Sequence, residues 1–217
     1  PRASGSSSRA LPHNRKPMTT VLLADRDGHA LGPLAEKTVP ALLPLRGAPI
    51  LERALESLVS AGIRSALVVV GPRAAEVEKR FGKGIRWGIA LEFVRREEDE
   101  STGAVLRRLE HRLDGETVVL RGDAAVEGAF GEFVTRSAGR SEPVVAAVLG
   151  SRLLGMWRIR PEVLKKTELP RDPADAEWTL DPAHSPLDVG LDVAPVDGLE
   201  AWSALERAEG KPVLSPR

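Results

Sequence analysis

Short apolar runs alternating with amphipathic segments constrain this chain more than any other feature. Ala66-Leu67-Val68-Val69-Val70 contains no polar residue, the composition of a strand covered on both faces of a parallel sheet. Val21-Leu22-Leu23-Ala24, residues 89–94 and Thr117-Val118-Val119-Leu120 read as further strands. Between the first two, Ile50, Leu51, Ala54, Leu55 and Leu58 recur at helical spacing over 49–61, and Gly62 follows as a stop. Helices are also predicted over 74–81, closed by Gly82, and over 102–113. Beyond them come a helix near 129–137, strands at 143–149 and 153–159, a short helix over 161–166 opened by Pro161, and a last helix over 198–208. Strands alternating with helices predict an α/β fold, a doubly wound and mostly parallel sheet with ligands at the carboxyl ends of its strands. The rhythm breaks over 167–196. The carboxylates there (Asp172, Asp175, Glu177, Asp181) lack calcium-loop spacing, and the segment reads as a solvated loop.

The 217 residues suit one domain with a full core. Basic and acidic residues balance at 31 each, so net charge points neither to nucleic acid nor to an anionic membrane. The absence of cysteine excludes disulfides and thiolate chemistry and fits a reducing, cytoplasmic setting. No apolar run approaches the roughly 18 residues of a membrane helix, and residues 1–17 lack the apolar centre of a signal peptide. We expect 1–17 to be a disordered lead or leftover cloning residues, 18–209 the folded domain, and 210–217 a tail or linker. A fused domain, a protein partner or a homo-oligomer would suit such an end.

Residues 21–51 read VLLADRDGHALGPLAEKTVPALLPLRGAPIL. Leu23, Ala24, Gly28, Leu31, Pro33, Leu34, Glu36, Lys37, Thr38, Ala41, Leu42, Leu43, Pro44, Pro49, Ile50 and Leu51 follow one pattern in order. It resembles the sugar-1-phosphate nucleotidyltransferases, whose first strand ends in A-A-G-x-G-T-R, followed by P-L-T-x-x-x-P-K-x-L-L-P. Ser101-Thr102-Gly103-Ala104 is similar to the family's G-T-A-G-A, though a plain helix cap would read the same way. Gly122-Asp123 stands where the family has a metal-binding G-D, and a strand-end turn is the plainer reading. Leu154-Gly155-Met156-Trp157 through Pro161-Glu162-Val163-Leu164 resembles G-I-Y-x-x-x-P-E-V-L. Residues 189–199 look like the region of the second metal aspartate, with Asp192 or Asp188 available if the register slips from Ala194.

The resemblance implies a Rossmann variant of the nucleotide-diphospho-sugar transferase type, of bacterial kind. It implies a nucleotide against Leu23, Ala24, Gly28, Ser101, Thr102 and Gly103, and Mg²⁺ on Asp123 and Asp192 when nucleotide is bound. The departures fall on the chemistry. Arg26 replaces the first loop glycine, Ala30 the catalytic arginine and Pro40 the lysine, so no catalytic set is intact; Arg26 and Lys37 are the candidates if the chain is active. Only four residues, Gly150 to Leu153, stand where the family carries a hairpin that holds the sugar phosphate. Losing one preorganised charge stabiliser costs on the order of 10² to 10³ in rate. The leading expectation is therefore a nucleotidyltransferase-like pseudoenzyme with weak nucleotide binding or a partner-binding role. The alternatives are an active, divergent nucleotidyltransferase for a sugar or polyol phosphate, and a purely structural interaction domain. Asp25 and Asp27 are expected to repel a triphosphate, with partial compensation from Arg26 and His29. Residues 95–100 read as a solvated loop, the histidines (His13, His29, His111, His184) as surface residues, and the tryptophans as packing.

Overall fold

The computed structural model describes residues 18–113, 115–125, 129–149, 152–165, 184–188 and 194–195. In chain order the elements begin with β1 (Thr19–Ala24), β2 (Pro44–Leu45), β3 (Ala48–Pro49), α1 (Ile50–Ser60), β4 (Ser65–Val70), α2 (Ala74–Phe81) and β5 (Ala90–Arg95). They continue with α3 (Thr102–Arg108), β6 (Thr117–Arg121), β7 (Ala124–Ala125), α4 (Ala129–Ser137), β8 (Val144–Leu149) and β9 (Arg152–Ile159). The last are α5 (Pro161–Leu164), β10 (His184–Asp188) and β11 (Ala194–Pro195). The main sheet has the order β10-β8-β9-β6-β1-β4-β5. Within it only β9 runs against its neighbours, so the expected doubly wound, mostly parallel sheet is what forms.

The period of two along each strand divides the core. Leu22, Ala24, Val68, Val70, Val118 and Leu120 face one side, with Leu55 and Leu58 of α1, Phe81 of α2 and Phe130 and Phe133 of α4. Val21, Leu23, Leu67, Val69 and Val119 face the other, with Val105 and Leu106 of α3, Trp157 of β9 and Val163 and Leu164 of α5. From β1 the chain steps outward through β4 to β5, then returns to the far side of β1 for β6. That reversal places the topological switch point between β1 and β6, where open α/β sheets take their ligands.

Two expectations are corrected, and one element is new. The helix expected over 102–113 is shorter: it ends at Arg108, Leu109 departs to φ −91°, ψ 1°, and a 3-10 turn over Glu110–Arg112 follows. The segment read as a solvated loop over 167–196 contributes β10, parallel to β8, and β11, antiparallel to β7. Pro186 hid β10, since proline breaks a strand pattern yet is tolerated on a sheet edge. The β2–β3 hairpin has no counterpart in the sequence pattern. Its two turn residues, Arg46 (φ 51°) and Gly47 (φ 76°), both take the positive φ that a type I′ turn requires. Asp172, Asp175, Glu177, Asp181, Asp192 and the helix over 198–208 lie outside the described residues.

Two contacts near the carboxyl edge of the sheet generate predictions. A Cβ at Gly71, just after β4, would stand 2.3 Å from the Asp25 carbonyl oxygen. Gly71→Ala should therefore destabilise by about 1–3 kcal/mol, as overpacking does. The urea midpoint should fall with unchanged slope; an unchanged midpoint would contradict so close an approach. Before α3, the Arg108 guanidinium donates to both Glu100 oxygens at 2.9 and 2.8 Å. These bonds hold the Glu100 carboxyl below the usual carboxylate range, against the opposing effect of burial. A carboxyl more acidic in the folded than in the unfolded chain stabilises at neutral pH, and that contribution disappears as pH falls through the lowered value. Glu100→Gln should lower the urea midpoint at neutral pH and leave it unchanged below the carboxylate range. An equal loss at both pH values would refute the ion pair as the cause.

Candidate functional site

The loop after β1 is shaped by what its carboxylates bind. Asp25 turns inward, 4% exposed, and its Oδ2 accepts from Arg96 Nη1 at 2.9 Å. Arg96 is fixed in turn at the end of β5, where its backbone N–H donates to the Val70 carbonyl at 2.9 Å. The run 95–100 is thus more than the solvated loop expected: it supplies the cation that neutralises Asp25. Asp27 accepts from the His29 backbone N–H at 3.0 Å and lies 3.1 Å from His29 Nε2. Gly28 takes φ 82°, the freedom expected of it. Its carbonyl accepts from the Leu31 N–H at 2.7 Å. Two backbone donors that could face a phosphate, those of His29 and Leu31, are consequently spent within the loop.

Pro40, where the resemblance places a lysine, is buried. A Cβ on Gly28 would stand 3.1 Å from Pro40 Cδ and 3.0 Å from Leu31 Cδ1, so the pyrrolidine ring borders the loop as an apolar wall. Lys37 is exposed at the end of the 3-10 run His29–Glu36. Leu23 and Ala24 are buried in β1. Ser101 Oγ accepts from the Ala104 N–H at 3.2 Å, the helix-cap geometry, and Thr102 and Gly103 are buried behind it. This segment follows β5 and so stands at the same carboxyl edge. His29 and His111 are exposed. Trp157 is buried, and Trp87 packs on Phe81 with ring centroids 5.1 Å apart.

Across the switch point, β6 ends in Arg121-Gly122-Asp123. The Gly122 N–H donates to the Leu23 carbonyl at 2.7 Å, and a Cβ there would meet Leu51 Cδ1 at 2.9 Å. Asp123 is 2% exposed. Arg121 Nε and Nη2 donate to its Oδ1 and Oδ2, both at 2.8 Å, and Arg26 Nε lies 3.7 Å from Oδ2. Room for the Arg121 side chain comes from β9: Gly155 has φ 74°, and a Cβ there would stand 3.0 Å from Arg121 Cδ. The loop that carries Arg26 and Gly28 is therefore brought beside Asp123 at the carboxyl edge of the sheet. Arg96 and Arg121 are the residues that sequence reasoning missed. The one available signal was position, since each directly follows or ends a strand at the carboxyl edge.

The resemblance also implies Mg²⁺ on Asp123 and Asp192. Asp192 lies outside the described residues, and both Asp123 oxygens already accept from Arg121. Among the described residues no three His, Asp or Glu side chains converge as a cation would need. Breaking a buried, bidentate ion pair costs about 3–5 kcal/mol. Arg121 is thus the partner that holds both oxygens of Asp123, the one member of the Asp123–Asp192 pair among the described residues.

Comparison with known proteins bears on the family of the chain. The family model described as "Nucleotidyl transferase" matches residues 19–152, which include both loops. The chain is 32% identical over 113 residues to a glucose-1-phosphate thymidylyltransferase of Actinoplanes sp., a match covering 51% of this chain and 37% of that protein. It is 28% identical over 109 residues to a mannose-1-phosphate guanylyltransferase of Mycobacterium tuberculosis, covering 50% and 30%. These matches thus span only about a third of the length of such curated relatives. A solved structure assigned as a glucose-1-phosphate thymidylyltransferase from Bacillus anthracis superposes with a TM-score of 0.76 at 13% identity, covering 92% of this chain and 98% of that one. At that identity the superposition speaks for the fold alone. With more than half of its length matched by the family model, the chain belongs to the nucleotidyl transferase family.

Proposed function

We propose that the crevice between the β1 and β6 loops binds a nucleoside triphosphate and serves transfer of its nucleoside monophosphate to a sugar 1-phosphate. One observation carries this reading: the loops that the family match spans, 25–28 and 122–123, meet at the switch point of the sheet. The names of the relatives supply the substrate class. In such a transfer a sugar-phosphate oxygen attacks the α-phosphorus, the bond to the bridging oxygen breaks, and pyrophosphate leaves with that oxygen. The nucleophile is already an anion, so the protein must orient two polyanions and neutralise charge rather than remove a proton. Arg26, 38% exposed beside Asp123, is the guanidinium placed to turn towards the α-phosphate. Triphosphates and sugar phosphates are cytoplasmic metabolites, and we place the domain there. Among the described residues no helix is long and apolar enough to cross a membrane.

A second reading, nucleotide binding without turnover, is favoured by a specific observation. Ala30 and Pro40 supply no cation, and Asp123 is held by Arg121 at both oxygens. On that reading the domain senses or holds a nucleotide for a fused domain, a protein partner or a second copy of itself.

Incubation of the purified chain with each nucleoside triphosphate and glucose or mannose 1-phosphate separates the two. Transfer predicts matched formation of nucleotide sugar and pyrophosphate, lowered about 10²-fold by Arg26→Ala, the usual scale for one charge stabiliser. Saturable nucleotide binding with no product would establish the second reading. Neither product nor binding would refute both.

A further inference from the structure

The turn between β4 and α2 touches the loop that follows β1 at both of its ends. Gly71 lies against the Asp25 carbonyl, where the loop leaves the strand. Two residues later, Arg73 Nη1 donates to the Ala35 carbonyl at 2.7 Å, across 38 positions, where the loop ends. The guanidinium is oriented by α2 itself: its Nε and Nη2 donate to the two Glu76 oxygens at 2.5 and 2.8 Å. Glu76 stands in the first turn of that helix, so its carboxylate takes one edge of the fork and leaves Nη1 to reach the loop. Between its ends the loop has two glycine joints, Gly28 at φ 82°, ψ 18° and Gly32 at φ 56°, ψ −132°. It has one deep apolar anchor, Leu31, packed with Leu43, Leu45 and Ile50. Beyond the second joint, Leu34 and Ala35 are only partly buried against that cluster. The exit of the loop therefore depends on the polar bond from Arg73.

We infer that Arg73 is a positioning residue for the β1 loop. By holding Ala35 it fixes the exit of a segment whose entry carries Arg26, and so sets how that segment meets a bound phosphate. It acts through the loop rather than on the ligand. A loop that takes its binding shape only part of the time binds more weakly in proportion, and the bond from Arg73 removes that loss. The inference rests on the nucleotide-binding reading above for its ligand, but the holding of the loop stands apart from it.

The test replaces Arg73 by methionine, which keeps an apolar stem and removes the donors. Amide hydrogen exchange of the unliganded intact chain comes first. The Lys37 and Thr38 N–H groups donate to the Leu34 carbonyl at 2.9 and 3.0 Å. Their exchange should quicken about tenfold in Arg73→Met, with the amides of β1 and β4 unchanged. Equal rates in the two proteins would overturn the proposal. Calorimetric titration with ATP, CTP, GTP, UTP and dTTP follows, at a temperature where urea melts show both proteins folded. The Kd of the triphosphate that binds should rise about fivefold to tenfold in Arg73→Met. An unchanged Kd would leave Arg73 a structural contact and overturn the positioning role. Glu76→Gln, which keeps the shape but removes the charge that orients the guanidinium, carries the same two measurements if Arg73→Met folds poorly. If the wild type binds no triphosphate, the nucleotide reading falls, and exchange at Lys37 and Thr38 alone decides whether Arg73 holds the loop.

Discussion

Strand β1 is gripped at its carboxyl end from both flanks, and the site follows from that grip. On one side the Gly122 N–H donates to the Leu23 carbonyl at 2.7 Å. On the other, Gly71 comes so near the Asp25 carbonyl that even a methyl group would overlap it. At Gly71 a side chain has no room, and a Cβ on Gly122 would stand 3.1 Å from the Leu23 carbonyl oxygen, so a glycine lies against the end of β1 on each flank. The chain leaving Ala24 is forced over the sheet edge with Asp25 turned inward, where an unpaired carboxylate would be costly. Arg96, at the end of β5, meets that need. A packing constraint thereby becomes an electrostatic one, which links three strand ends.

The same reasoning explains the other side of the crevice. Asp123 is buried at the end of β6, and burial demands a partner. Arg121 satisfies it from two residues away, because β9 offers a glycine at the one place where the arginine stem must run. Both loop carboxylates nearest the core are thus neutralised by arginine before any ligand arrives. Arg26, 3.7 Å from the same carboxylate and 38% exposed, adds a second guanidinium beside it. Such a crevice can recognise an anion with little reorganisation, since its charges are held in place by the fold.

Much of the architecture was legible in the residues. Unbroken runs such as 66–70 are strands covered on both faces, and the helical spacing of Ile50, Leu51, Ala54, Leu55 and Leu58 marked α1 within a residue or so of its ends. Elements that contradict local rules were not legible. β10 carries a proline and depends on β8 for its shape, and the β2–β3 hairpin rests on Arg46 in a conformation that residue type rarely adopts. Within the site, residues of the resembling pattern such as Gly28 and Asp123 could be named from order alone. Arg96 and Arg121 could not, because their partners are chosen by which strand ends meet and not by any local spacing. Asp25 showed the consequence: read along the chain it repels a phosphate, while in three dimensions it is already paired across 71 positions.

The claim on which everything else depends is that ligand enters between the β1 and β6 loops. Backbone amide chemical shifts of isotopically labelled protein, followed during titration with nucleoside triphosphate, test it most directly. The account predicts shifts concentrated at residues 25–31, 96, 101–104 and 121–123, with α1 and α4 unmoved on their outer faces. Shifts centred instead on the surface cavity formed by Arg46, Arg53, Glu56 and Ser57, with the two loops silent, would contradict it.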